Sequence, residues 1–139
     1  MPRTATWHLP VADADTQQYW ESASSEQLLI KHCRTCDRAF FYPRPFCPRC
    51  WSPDVEWRPA SGNGVVYTFT IVRQNDLPPF KDRLPYVVAV VELAEGVRMT
   101  SNIEDCAPED VRCDMPVRVS FRREERDDGP VTIPVFVPA

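Results

Sequence analysis

The sequence predicts a mainly β protein: a short helix within an N-terminal segment 1–27, a four-cysteine zinc ribbon over 28–60, and a five-stranded OB-fold barrel over 61–139. Three observations predict it. Cys33/Cys36 and Cys47/Cys50 form two Cys-x-x-Cys pairs, the pattern of paired metal knuckles. Fifteen prolines against four glycines confine the chain to short elements joined by fixed turns. Beyond the turn cluster Ser61-Gly62-Asn63-Gly64, five strand-like runs follow, with one short helical connection between the third and fourth. That is the arrangement of an OB barrel.

Composition sets the bounds. A chain of 139 residues suits one domain or two small ones, and 43% hydrophobic with 26% charged residues is globular usage. No apolar run approaches the roughly 18 residues of a membrane helix. Met1 to Pro10 lacks the basic-then-apolar layout of a signal peptide, so the cytoplasm is the expected compartment. In that setting six cysteines point to metal or thiol chemistry rather than disulfides. The net charge of −4 is uneven: −3 over residues 1–30, +3 over 31–60 and −4 over 61–139. A phosphate-binding protein usually carries a basic excess, which disfavours general nucleic-acid binding.

Taken in order, residues 13–27 read as a helix capped by Asp13 or Asp15, with Tyr19 and Trp20 as its apolar anchor. Two outcomes are open for it: packing on its own domain, or cover by a partner. Leu28 to Lys31 forms a brief strand, and Phe40, Phe41 and Tyr42 a second, so that Lys31–Phe41 and Phe46–Val55 make two hairpins. In the barrel, Val65, Tyr67, Phe69 and Ile71 are expected on one face of the first strand, the core face. Tyr86 to Leu93 is apolar on both faces, as a central strand should be, and Val97 to Ile103 follows the Glu95-Gly96 turn. Pro108 opens a helical turn to Val111. Val117, Val119 and Phe121 alternate with polar residues, and Val131 to Val137 is the last strand, with Pro134 suggesting an edge. The acidic and basic run from Glu124 to Asp128 is a solvated loop.

The two cysteine pairs are ten residues apart, and each can turn two thiolates toward one point, closing a tetrahedron around Zn²⁺. About thirty residues cannot bury a stable core, so the metal is expected to hold the ribbon folded. With four protein thiolates no position is open to substrate, and the zinc is structural, one per chain. Iron is the rival metal. His8 and His32 read as ordinary polar residues. Cys106 and Cys113 read as two small semi-buried thiols, since no base is at hand to activate a nucleophile.

The order of motifs resembles the family catalogued as domain of unknown function thirty-five. The residues are Tyr19-Trp20, then Leu28-Leu-Ile-Lys-His-Cys33-Arg-Thr-Cys36, Tyr42-Pro-Arg44, Cys47-Pro-Arg-Cys50, Glu56-Trp57 and Ser61-Gly62-Asn63-Gly64 running into Val65–Thr70. Asp37 departs from the pattern, standing where the family usually has glycine. The resemblance implies an accessory subunit of a thiolase-fold aldolase or thiolase acting on acyl-CoA, with an enoyl-CoA hydratase as a further partner. The partner would carry the chemistry, steroid side-chain shortening in one group, and the small chain would help form the CoA-thioester channel.

Beside that resemblance, the loop from Arg73 to Pro85 is the best candidate contact surface. Arg73, Lys81 and Arg83 could meet phosphates, and Pro78-Pro79-Phe80 an apolar acyl chain or partner groove. An ordinary long barrel loop is the alternative. Two other function classes compete with the accessory subunit. One is a single-stranded nucleic-acid binder, because zinc ribbons and OB-folds both serve that role. The other is a stand-alone hydrolase or redox thiol protein, which lacks a base.

Overall fold

A computed structural model describes residues 9–139; His8 and the start of the Met1–Pro10 segment lie outside the described residues. The elements run α1 (Gln17–Ser24), β1 (Leu29–Cys33), β2 (Arg38–Phe40), β3 (Val55–Pro59), β4 (Asn63–Val72), β5 (Tyr86–Leu93), β6 (Arg98–Ile103), β7 (Pro116–Glu124) and β8 (Val131–Pro138). Single 3₁₀ turns at Phe80–Arg83 and Pro108–Asp110 precede β5 and β7. No described helix is long and apolar enough to cross a membrane.

Helix α1 is shorter than the apolar pattern suggests. Asp13 does cap, but one turn early: its Oδ1 accepts the N–H groups of Asp15 and Thr16 and the Thr16 hydroxyl. The helix ends where Glu26 takes a left-handed φ of 59° and the N–H groups of Glu26 and Gln27 close on the carbonyls of Ala23 and Ser22.

The ribbon is a three-stranded antiparallel sheet ordered β2-β1-β3: the expected hairpin Lys31–Phe41 forms, while Phe46–Val55 forms no strand pair and its last residue instead opens β3, which corrects the second hairpin. Strand β2 forms two residues earlier than expected, and β3, read only as the end of a hairpin, pairs with β1 from Leu29↔Pro59 to Cys33↔Val55. Prolines at 53 and 59 mask β3 in the sequence, but both sit at its margins, where the ladder asks no N–H of them.

The last five strands close a barrel ordered β4-β5-β6-β8-β7. Its core is built from Val66, Val87, Val91, Val117, Val135 and Phe136. Strand β4 differs from strict alternation. A register shift between Val66 and Thr68, against Val91 and Val90 of β5, places Tyr67 in a bulge. Val66 is therefore fully buried and Tyr67, expected in the core, is 49% exposed, while Phe69 and Ile71 pack against the core beyond the bulge. One extra residue exchanges the faces of a strand. Pro134 occupies the seam where β8 meets β6 through the single pair Ile103↔Phe136, and its carbonyl accepts the Ser101 hydroxyl at 3.0 Å. Strand β8 is flanked by β6 and β7, which corrects the expectation of an edge; the proline is tolerated because β6 meets β8 only at that one pair.

Ribbon, helix and barrel share one core, since Tyr19, Leu28, Leu29 and Ile30 belong to the same buried cluster as the barrel valines.

Candidate functional site

The first knuckle leaves β1 at Cys33 and turns back through Cys36 into β2; the second spans Cys47 to Cys50 in the irregular stretch before β3. Their four sulfurs lie within 4.8 Å of one another, with Cys33 Sγ to Cys50 Sγ at 3.6 Å and Cys36 Sγ to Cys47 Sγ at 3.7 Å. A tetrahedral ion with metal–sulfur bonds of about 2.3 Å would set its sulfurs about 3.8 Å apart. The cluster fits a structural metal.

The backbone prepares it. The N–H groups of Cys50 and Arg49 point at Cys47 Sγ, the latter at 3.4 Å, and hold that thiol down to about 6. The N–H of Cys36 lowers Cys33 in the same way. Burial, followed by the neighbouring cysteines, pushes Cys36 up to about 12. Each knuckle thus pairs a cysteine whose thiol is held down with one whose thiol is pushed up.

His32 is not part of the sulfur cluster. Its ring is buried, with Nε2 at 2.8 Å from Asp37 Oδ1 and Nδ1 at 3.6 Å from Glu56 Oε1. Arg34, inside the first knuckle, bridges Asp54 at 2.8 Å and Glu56 at 2.7 Å, and the Thr35 and Ser52 hydroxyls meet at 2.7 Å. These contacts tie the first knuckle to β3 and to the second knuckle.

A second feature lies between α1, the ribbon and the outer face of the barrel. It is an apolar groove of about 480 Å³, walled by Trp20, Phe41, Tyr42, Phe80, Tyr86 and Met99, with Thr100, Ser101 and Asn102 as polar points. Trp20 and Phe80, sixty residues apart and both predicted contact residues, line it together. Sequence reasoning missed Tyr42, Tyr86 and Met99 as groove residues. Each sits in or beside a strand whose periodicity says only that it faces in or out, not what approaches that face.

The other predicted contact residues divide. Tyr19, for which either its own domain or a partner was open, is 7% exposed, stacked near Trp57 and edge-on to Phe41 and Trp20. It belongs to the chain's own core. Arg83 forms an ion pair with Glu124 at 2.7 Å, and Glu124 also holds Arg122 at 2.8 Å, which in turn pairs with Glu104. Arg83, Arg122 and Glu104 line a neighbouring cavity of about 450 Å³, where Arg83 already has its anion. Arg73 and Lys81 are exposed on the surface of the loop.

Cys106 lines the same cavity, where burial and then Asp110 and Asp105 push its thiol up, away from a reactive thiolate. Cys113, expected to be semi-buried, is exposed.

Comparisons with known proteins agree with this architecture. Residues 20–56 match the model "ChsH2, rubredoxin-like zinc ribbon domain", and residues 57–122 the model "ChsH2, C-terminal OB-fold domain". A "DUF35 domain-containing scaffold protein" of Methanocaldococcus jannaschii is 39% identical over 81% of this chain and 82% of its own length. A Thermomonospora curvata protein named "Probable enoyl-CoA hydratase alpha subunit" is 35% identical over 94% of this chain. The match covers only 39% of that longer protein. Among solved structures, a chain of the "Ltp2-ChsH2(DUF35) aldolase" superposes with a TM-score of 0.80 at 35% identity, covering 93% of this chain and 98% of that one. Further relatives are named as a CoA hydratase alpha subunit and a thiolase subunit. Homologues of this chain are thus scaffold or accessory subunits of CoA-acting enzymes, and the chain belongs to the DUF35 family, with the ChsH2 zinc ribbon and OB-fold.

Proposed function

We propose that this chain is a non-catalytic scaffold subunit of a thiolase-fold aldolase or thiolase acting on acyl-CoA thioesters. It stabilises that partner and supplies one wall of the channel through which the thioester reaches the partner's active site. The observation that carries this reading is the near end-to-end match, through both domains, to a chain of an aldolase.

The geometry supports a contact face on one side of the molecule. Trp20, Tyr42 and Phe80 line a groove, and Phe80 comes from the loop that also carries exposed Arg73 and Lys81. Apolar walls beside exposed cations suit a ligand with an apolar acyl end and a phosphate-bearing end. A groove of about 480 Å³ has room for a bulky acyl group, and a steroid side-chain thioester is the substrate class we favour. Zinc, held by Cys33, Cys36, Cys47 and Cys50, keeps the ribbon folded and takes no part in the chemistry.

Affinity purification of this chain from its native host tests the reading. Recovery of a thiolase-fold enzyme that loses stability or turnover without this chain is the expected result. Recovery of nucleic acid alone, or turnover of acyl-CoA by this chain alone, would overturn it.

A further inference from the structure

The residue that follows the second cysteine of each knuckle takes a left-handed backbone: Asp37 after Cys36 at φ 55°, and Trp51 after Cys50 at φ 64°. Glycine serves that conformation without steric cost, and neither Asp nor Trp is needed for it. A side chain at such a position can supply a contact that glycine cannot. Both side chains have a specific partner just before the metal ligands. Asp37 Oδ1 accepts the Nε2–H of buried His32, at 2.8 Å, next to Cys33. The Trp51 ring, 71% exposed overall, stacks on Phe46 beside Cys47, with 5.3 Å between centroids and 16° between planes.

Each contact joins the residue after a knuckle to the residue before it. Asp37 reaches back over Cys33–Cys36 to position 32, and Trp51 reaches back over Cys47–Cys50 to position 46. The two knuckles use different chemistry, a hydrogen bond in one and ring stacking in the other, for the same closure. We propose that Asp37 and Trp51 are latches: they hold the two knuckles shut, and they set how long the cluster keeps its metal. A metal held by four thiolates leaves when one knuckle opens and a competing ligand enters. Any interaction that must break for the knuckle to open therefore slows release. The inference is independent of the partner and of any CoA ligand, because it concerns only the ribbon's own residues.

Glycine substitution gives opposite answers for backbone and side chain. Asp37→Gly and Trp51→Gly relieve the left-handed backbone, which by itself should strengthen the ribbon. They also remove the latches. The experiment loads the full chain with zinc and follows its transfer to a chromophoric chelator in excess. Each glycine variant is expected to release zinc about fivefold faster than the parent, the effect of removing one modest interaction. Asp37→Asn keeps both the acceptor and tolerance of the left-handed region, and Trp51→Phe keeps a stacking ring, so both should stay close to the parent rate. His32→Phe should match Asp37→Gly; should that variant fail to fold, the Asp37 and Trp51 pairs decide alone. Glycine variants that keep zinc as long as the parent, or longer, would overturn the proposal. So would Asn and Phe variants that release as fast as the glycine ones.

Discussion

The ring of Tyr19 lies 6.4 Å from that of Trp57 at 29° between planes, joining helix α1 to strand β3 where the ribbon meets the shared core. This stacking decides how mutations at neighbouring Tyr19 and Trp20 should differ. Tyr19→Ala should cost about 3–5 kcal/mol of folding stability, as for other large aromatics removed from a core. Tyr19→Phe should cost much less, because it keeps the stacked ring. Urea unfolding of the zinc-loaded chain measures both.

Trp20 and Phe80 stand half-buried at the groove. Trp20→Ala and Phe80→Ala should each weaken association with the proposed thiolase-fold partner by roughly 1–4 kcal/mol, the range of aromatic hot spots, with zinc content unchanged. Titration of each variant against the partner, followed by activity, checks this. Full affinity in both variants would place the interface elsewhere.

One zinc per chain should survive Cys106→Ser and Cys113→Ser and be lost or weakened in Cys47→Ser; elemental analysis of the purified proteins reads it. The affinity should also rise with pH. Cys36, pushed up to about 12, must give up a proton to bind metal at neutral pH, so binding there releases protons. Cys47, held down to about 6, is already ionised at pH 7 and adds its own proton cost only below that value. Affinity should therefore fall more steeply once the pH drops through 6. Calorimetry in two buffers of different ionisation heat measures the protons released; none released at pH 7 would contradict the sulfur environments described.

Gly62 enters β4 at φ 82°, and a Cβ added there would overlap Val119 Cγ1 on β7. Gly62→Ala should therefore destabilise the barrel by about 1–3 kcal/mol, combining strain in the turn with overpacking. Gly96, also left-handed but with open space around it, should lose only the backbone component when changed to Ala. Thermal unfolding of the two variants side by side separates the two contributions.

Lys81 and Arg83 are two residues apart and should behave differently. Lys81→Ala should leave stability alone and, on the proposed function, weaken acyl-CoA binding by the proposed partner complex, increasingly so at low salt. Arg83→Ala removes one of the two cations on Glu124 and should lower stability by up to about 1 kcal/mol. Denaturation curves, together with a salt series of thioester affinity, distinguish these effects.

The sequence by itself determined the four-cysteine cluster and the order of the five barrel strands, but not β3 of the ribbon. Ligand spacing in a Cys-x-x-Cys knuckle is a local property, so Cys33, Cys36, Cys47 and Cys50 could be named before any fold was known. Strands such as Tyr86–Leu93 were legible for the same reason, since an unbroken apolar run of strand length is written into neighbouring residues. Tertiary structure decided everything that depends on what comes from far along the chain. The bulge that turns Tyr67 outward is set by the register of β4 against β5, which no local pattern on β4 encodes. Tyr19 is a core residue because Trp57 arrives on β3, and Arg83 is paired because Glu124, forty-one residues later at the end of β7, meets it. The groove exists only because α1, the ribbon and the barrel meet at one place. Local chemistry is carried by spacing, whereas burial and pairing are carried by contacts between distant segments, and the latter appear only once the chain has closed.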